Sequence, residues 1–216
     1  DFLKKQGAIF NMGDLLHFGD SIEERKAYGS QETLTALTTL GTLSFSGPQA
    51  KEFLQGQITL NLDDISPTQS GIGAHCNLQG RMQTLFRIFQ TQHNDGSIYH
   101  LSMPREMLES ALVNFKKYAI FSKVSIQVDH CLVGMGLYGP SADKILCNVF
   151  PQVSTLQKPY DSFYQTVGDE LTISRLPGHY PRFEIWGKPE ALSAIWLQLV
   201  EHCKPVLPQG WELLDI

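Results

Sequence analysis

Residues 75–82, His-Cys-Asn-Leu-Gln-Gly-Arg-Met, hold the densest group of chemically able side chains in this 216-residue chain. An imidazole beside a thiol raises three possibilities: half of a metal site, a nucleophile with its base, or a turn between two strands. A zinc site gathers several His, Cys or carboxylate ligands at short spacings. The nearest other histidines, His93 and His100, stand at intervals that supply no partner. Adjacent strand residues point to opposite faces, so His75 and Cys76 cannot serve one another as base and nucleophile. The turn remains. Asn77 tolerates left-handed backbone and Gly80 adopts it freely, so the stretch is expected to close a hairpin with Arg81 beside its tip. Neither a metal site nor a catalytic residue is expected. The common phosphate-loop, dinucleotide, zinc-protease and nucleophile-elbow motifs are missing from the sequence. Asp63-Asp64 and Asp169-Glu170 read as solvated loop acids.

The elements that must position such a hairpin are legible around it. IGAHC and MQTLFRIFQTQ flank the turn, and SIYHLSM follows an HNDG turn, which predicts three antiparallel strands. Upstream, TALTTLGTLSFSG (35–47) predicts a strand or hairpin. GPQAKEFLQGQI then predicts a helix opened by Pro48, with Ala50, Phe53 and Leu54 on its apolar face. The strongest helix signal covers 104–121, opened by Pro104, with Leu108, Leu112, Phe115 and Ala119 along one side. A strand over 122–128 follows. The strand, Gly-Pro, helix device recurs: Gly139-Pro140 with Ala142, Ile145 and Leu146 repeats Gly47-Pro48 at an offset of 92. Strands over 162–167, 170–177 and 182–187 and a helix over 189–203 complete the second copy. The expected class is α+β, two pseudo-repeated antiparallel sheet-plus-helix units of ferredoxin-like form. The expected boundaries are an N-terminal arm at 1–32, a first unit at 33–130 and a second at 131–216.

Composition bounds the function. Hydrophobic residues make up 42% and charged residues 18%, which excludes a disordered or coiled-coil chain. A net charge of −5 argues against wholesale nucleic-acid binding. Residues 81–123 carry 6 basic and 3 acidic side chains, a basic island that could attract a small anion. Cys76, Cys131, Cys147 and Cys203 are widely spaced and read as reduced thiols. The opening residues lack a signal peptide's continuous apolar core, and no membrane-length apolar run occurs, so a cytoplasmic protein is expected.

Four blocks carry a resemblance: FSGPQAKEFLQGQIT (45–59), AHCNLQGRMQTLFRIF (74–89), FKKYAIFSKV (115–124) and WELLDI (211–216). In this order and spacing they resemble the folate-binding YgfZ family, relatives of the glycine-cleavage aminomethyltransferase, the T-protein. The resemblance implies a multi-domain fold around a central hole that holds tetrahydrofolate. It also implies an accessory role in iron-sulfur cluster assembly or repair, supporting iron-sulfur enzymes of tRNA modification without direct RNA binding. Of the two tryptophans that the family associates with folate, Trp211 matches one, and Leu40 stands where the other falls. Arg81, Lys117 and Lys123 are the candidates for the folate's glutamate tail. The T-protein places an aspartate shortly after the hairpin glycine. Here Arg81, Met82, Gln83 and Thr84 follow Gly80, so aminomethyl transfer, the alternative function, is not expected. The family's K-G-C-Y-x-G-Q-E motif would fall after Ile216, and the chain is expected to be a truncated form.

Overall fold

The computed structural model describes residues 2–11, 14–18, 21–166 and 168–215. The N-terminal segment holds α1 (Phe2–Lys5), the antiparallel pair β1 (Ile9–Asn11) and β2 (Asp14–His17), and α2 (Ser21–Ala27). Phe2, Leu3 and Phe18 of this segment pack against one of two main cores. Glu24 accepts the backbone N–H groups of Phe18 at 2.8 Å and Leu207 at 3.1 Å, which ties α2 to the C-terminal region. The segment expected as an arm is thereby fastened to the body.

Next come β3 (Thr33–Ala36), β4 (Leu40–Ser46), α3 (Ala50–Gln55), β5 (Gly71–Cys76), β6 (Met82–His93), β7 (Gly96–Pro104), α4 (Leu108–Tyr118) and β8 (Ser125–Asp129). Strands β4 to β8 form one antiparallel sheet in the order β5-β6-β7-β4-β8. Its inward residues, among them Leu43, Phe45, Phe86, Ile88, Leu101 and Met103, meet the buried side of α3 and α4. The second half contains β9 (Val133–Tyr138), α5 (Ala142–Val149), β10 (Ser162–Gln165), β11 (Leu171–Leu176), β12 (Arg182–Gly187), α6 (Pro189–Leu199), β13 (Lys204–Pro205) and α7 (Pro208–Glu212). Its sheet runs β10-β11-β12-β9-β3-β13, and α5 and α6 cover the face that bears Met135, Leu137, Ile173, Phe183 and Ile185.

The repeat is real in three dimensions. Gly47 (φ 106°) and Gly139 (φ 152°) both take left-handed backbone, and each lies under another chain segment where a Cβ would clash, Lys123 O at 2.8 Å and Glu32 Cα at 2.7 Å. Those two neighbours reveal how the copies differ. Lys123 leads into β8, which pairs with β4, whereas Glu32 leads into β3, which pairs with β9. β3 thus fills in the second sheet the slot that β8 fills in the first. The predicted 35–47 strand or hairpin becomes two strands in different sheets, separated by a turn.

Two smaller expectations also change. Pro104 ends β7 opposite Leu40 rather than opening α4, and a single 3-10 turn at Arg105–Met107 intervenes. Pro48 precedes α3 by two residues, although Pro189 does open α6. Among the described residues no helix is long and apolar enough to cross a membrane.

Candidate functional site

The two sheets meet through the faces their helices leave bare. On these faces the strands present Thr42, Ser44, Arg87, Phe89, His100 and Ser102 from one side and Thr35, Tyr138, Arg182, Glu184 and Trp186 from the other. Phe89 and Trp186 stack across the seam with centroids 6.0 Å apart. They join Leu37, Leu40, Tyr138, Leu176 and Trp211 in a third buried cluster. Room for two indoles comes from β9. A Cβ at Gly134 would lie 2.9 Å from the Trp186 ring, and one at Gly136 would lie 2.8 Å from the Trp211 ring.

Charge concentrates beside these tryptophans, buried at Glu184 and Arg182 and open to solvent at Asp215. Glu184 Oε1 accepts from Arg87 Nη1 at 2.9 Å and from Trp211 Nε1 at 3.3 Å, and Oε2 accepts from Trp186 Nε1 at 3.2 Å. Asp215 accepts from Arg87 Nη2 at 2.5 Å and from Arg182 Nη1 at 2.6 Å. Arg182 also donates to the carbonyls of Trp211 (2.9 Å) and Leu214 (3.1 Å), and its guanidinium lies 4.2 Å over the Trp211 ring. Two cations thus face two anions, which offsets the desolvation that isolated buried charges would suffer. Burial would lower the pKa of Arg87, but Glu184 and Asp215 outweigh it and the net shift is upward. For Arg182 burial wins and the shift is downward. Burial would raise Asp215, yet the Arg182 hydrogen bond and the Arg87 charge carry it below the usual carboxylate value.

This network borders an open apolar shelf. Ile72 lies directly across from Arg87 on β5, and Leu85 lies two residues before it on β6, so all three share a face. Ile72 is 43% exposed and Leu85 50%. Tyr160 stands at the same border in left-handed backbone (φ 70°), uncommon for a side chain of this size. Its N–H reaches Arg175 O at 2.7 Å, and its carbonyl accepts from Ser70 N at 2.8 Å and Oγ at 2.9 Å. Burial raises the Tyr160 phenol pKa, and the Arg87 charge tempers the rise. A flat ring could rest on Ile72 and Leu85 with a polar edge toward Arg87, Asp215 and Tyr160. No carboxylate occurs at 81–85 to exchange a proton with it.

The residues singled out from sequence divide. Trp211 and Leu40 come together in the seam, but both are buried, at 1% and 8% exposure. Arg81 lies exposed in the hairpin turn, one residue before the strand that carries Leu85 and Arg87. Lys117 sits on α4, on the helix-covered side of the sheet, and donates to Asn114 Oδ1 at 3.2 Å. Lys123 lies against Gly47, at the opposite end of β4 from Leu40, about 20 Å away at 3.3 Å per strand residue. The two lysines are not brought to the shelf.

Residues 75–82 form the expected turn. Asn77 Oδ1 accepts from Gln79 N at 3.0 Å and Arg81 N at 2.9 Å, and Gly80 has φ 75°. His75 points into the core against Phe115, centroids 4.6 Å apart, where burial lowers its pKa. Among the described residues no group of three or more His, Cys, Asp or Glu could hold a metal ion. Sequence reasoning missed Glu184, Arg87 and Arg182. The available signal was a charged residue at an inward position of an otherwise apolar strand, as in RFEIWG and LFRIF.

Two sheets, antiparallel except for the short parallel β13–β3 pair at one edge, each helix-covered on its outer face and meeting through the inner one, define a fold seen in the glycine-cleavage aminomethyltransferase. The structure of that enzyme from Bartonella henselae matches with a TM-score of 0.74 over 94% of this chain and 56% of that one, at 17% identity, a likeness of fold. In sequence the chain is similar to tRNA-modifying protein YgfZ of Colwellia psychrerythraea, 29% identical over 184 residues, 85% of this chain and 53% of that protein. It is also similar to YgfZ of Vibrio atlanticus, 35% identical over 116 residues, 54% of this chain and 34% of the relative. The resemblance to YgfZ proteins is borne out, on a T-protein type of fold. The chain spans about half the length of the Colwellia relative. No protein-family model matches it.

Proposed function

We propose that this protein binds tetrahydrofolate or a derivative on the Ile72–Leu85 shelf and works as an accessory protein in the cytoplasm. In this reading it supports iron-sulfur cluster assembly or repair, and through iron-sulfur enzymes the modification of tRNA, with no direct hold on nucleic acid. The observation that carries the proposal is the juxtaposition of an exposed apolar sheet face with the Arg87–Glu184–Asp215 network. A pteridine has flat apolar faces and an edge of alternating donors and acceptors, which this border can meet. Arg81, in the hairpin turn four residues and about 13 Å along the chain from Leu85, takes the negatively charged glutamate tail that extends from the shelf, a charge-assisted pair typically worth about 1.5–3 kcal/mol. Trp211 and Leu40 act as the floor beneath the network: the Trp211 indole holds Glu184 and carries Arg182 on its face. Lys117 and Lys123 have no part in this arrangement. The YgfZ relatives are named as tRNA-modifying proteins, which supports the cellular context.

Titration with tetrahydrofolate, followed by tryptophan fluorescence, tests the reading. A saturable change is expected, weakened about tenfold or more by Arg81→Ala and by Leu85→Asp, a charge placed on the shelf. No saturable change up to about 1 mM, or equal affinity in both variants, would overturn it. Methylenetetrahydrofolate formation from an aminomethyl donor would instead establish the transferase alternative.

A further inference from the structure

Beside Trp186, the seam opens into a half-open cavity of about 160 Å³. His100, Tyr164 and Thr172 line it, and His100 Nδ1, Tyr164 Oη and Thr172 Oγ1 are all buried without a hydrogen-bond partner. His100 is 4% exposed and Thr172 2%. Buried polar atoms in native proteins are nearly always paired, so three orphans around one cavity mark a place built to be filled.

The hydrogen-bond pattern sets the polarity of these atoms. Thr91 Oγ1 lies 3.0 Å from both His93 Nε2 and His100 Nε2. A hydroxyl has one proton, so it donates to one ring and accepts from the other. Asp129 Oδ2 lies 3.9 Å from His100 Nδ1, which favours the proton on Nδ1. Burial drops the His100 pKa to about 4, so the ring is neutral near pH 7. The cavity floor therefore offers one imidazole N–H and two hydroxyls, all able to donate.

Charge and size narrow the occupant. Among the lining residues the carboxylates Asp129 and Glu170 outnumber the one lysine, Lys188, with His93 Nδ1 3.7 Å from Glu170 and the neutral His100 3.9 Å from Asp129, a balance that disfavours an anion. A simple cation would leave the donors unmet. An uncharged molecule with a carbonyl for the donors and an N–H for the hydroxyls or carboxylates meets both conditions. Phe89 and Trp186 supply flat apolar walls. An apolar cavity of about 150 Å³ holds one benzene ring, so the space matches a single six-membered ring. We propose that this cavity is a second ligand site, separate from the shelf, for an uncharged six-membered cyclic amide of the pyridone or pyrimidinone class.

The probes are 2-pyridone and uracil, titrated into the intact protein by NMR and tryptophan fluorescence, with toluene and benzoate as controls. Binding at about 1 mM or tighter is expected for the cyclic amides, with toluene and benzoate weaker. Thr172→Val and Tyr164→Phe each remove one hydroxyl and should weaken binding about threefold to tenfold while leaving circular dichroism unchanged. Saturating tetrahydrofolate should leave 2-pyridone bound, which separates this site from the shelf. The proposal is overturned by absence of binding up to about 10 mM, by toluene binding as tightly, by unchanged affinity in both variants, or by competition from the folate.

Discussion

A buried neutral histidine makes this protein sensitive to mild acid, and the size of the effect follows from His100. In the unfolded chain its pKa is near 6.5; in the fold burial lowers it to about 4, with the Asp129 charge opposing and His93 adding to the drop. Thr91 lies against the same ring, and Glu170 and Lys188 line the adjoining cavity. At about pH 8 the ring is neutral in both states. As the pH falls through 6.5 the unfolded chain takes up a proton that the folded ring refuses, so stability falls with it. At about 1.4 kcal/mol per pKa unit, roughly 2 kcal/mol is lost between pH 8 and pH 5, approaching about 3.5 kcal/mol well below pH 4. His75 shifts in the same direction and adds to the loss. Asp215 does not interfere: its lowered pKa gives stability that is present above the ordinary carboxylate value and disappears only as the pH falls through the folded one. Urea unfolding from pH 8 to pH 5, followed by tryptophan fluorescence, measures the slope. His100→Gln keeps a polar side chain that does not titrate and should flatten it by about 2 kcal/mol. If wild type and variant lose stability in parallel within about 0.5 kcal/mol, the burial argument for His100 is wrong.

Other perturbations address the seam and the hairpin. Glu184→Gln removes the anion that serves Arg87, Trp186 and Trp211, and should cost about 3 kcal/mol in urea unfolding; a loss under about 1 kcal/mol would show that Asp215 alone balances the arginines. Gly136→Ala sets a Cβ 2.8 Å from the Trp211 ring and 3.0 Å from Thr35. It should cost about 1–3 kcal/mol and alter the near-ultraviolet circular dichroism of the tryptophans, whereas an unchanged spectrum would mean the ring is not held there. Asn77→Ala takes the acceptor from two turn N–H groups and should cost about 1 kcal/mol, with the aromatic signals of the seam intact by NMR.

The sequence determined by itself whatever depends on neighbours along the chain. Alternating apolar residues marked β6, β7 and β12, three- and four-residue spacing marked α4 and α6, and Asn77 with Gly80 marked the hairpin. Each of these signals is local: a strand's period of two, a helix's period of 3.6, and the conformational freedom of turn residues. The repeated Gly-Pro step was legible because both copies need the same left-handed residue beneath a crossing segment.

Tertiary structure alone decided the rest. β3 joins the second sheet because the slot beside β9 is open to it, a pairing across about a hundred residues that leaves no mark on Thr33–Ala36. Arg87 and Glu184 look like anomalies in their own strands, 97 residues apart, and become a site only when two bare sheet faces are pressed together. Lys117 and Lys123 are close to the site's expected charge in type but not in place, because α4, which carries Lys117, lies on the other face of its sheet and Lys123 lies against Gly47 at the far end of β4. Periodicity records which face of an element is buried; which other face covers it is settled by long-range packing that no short window of sequence contains.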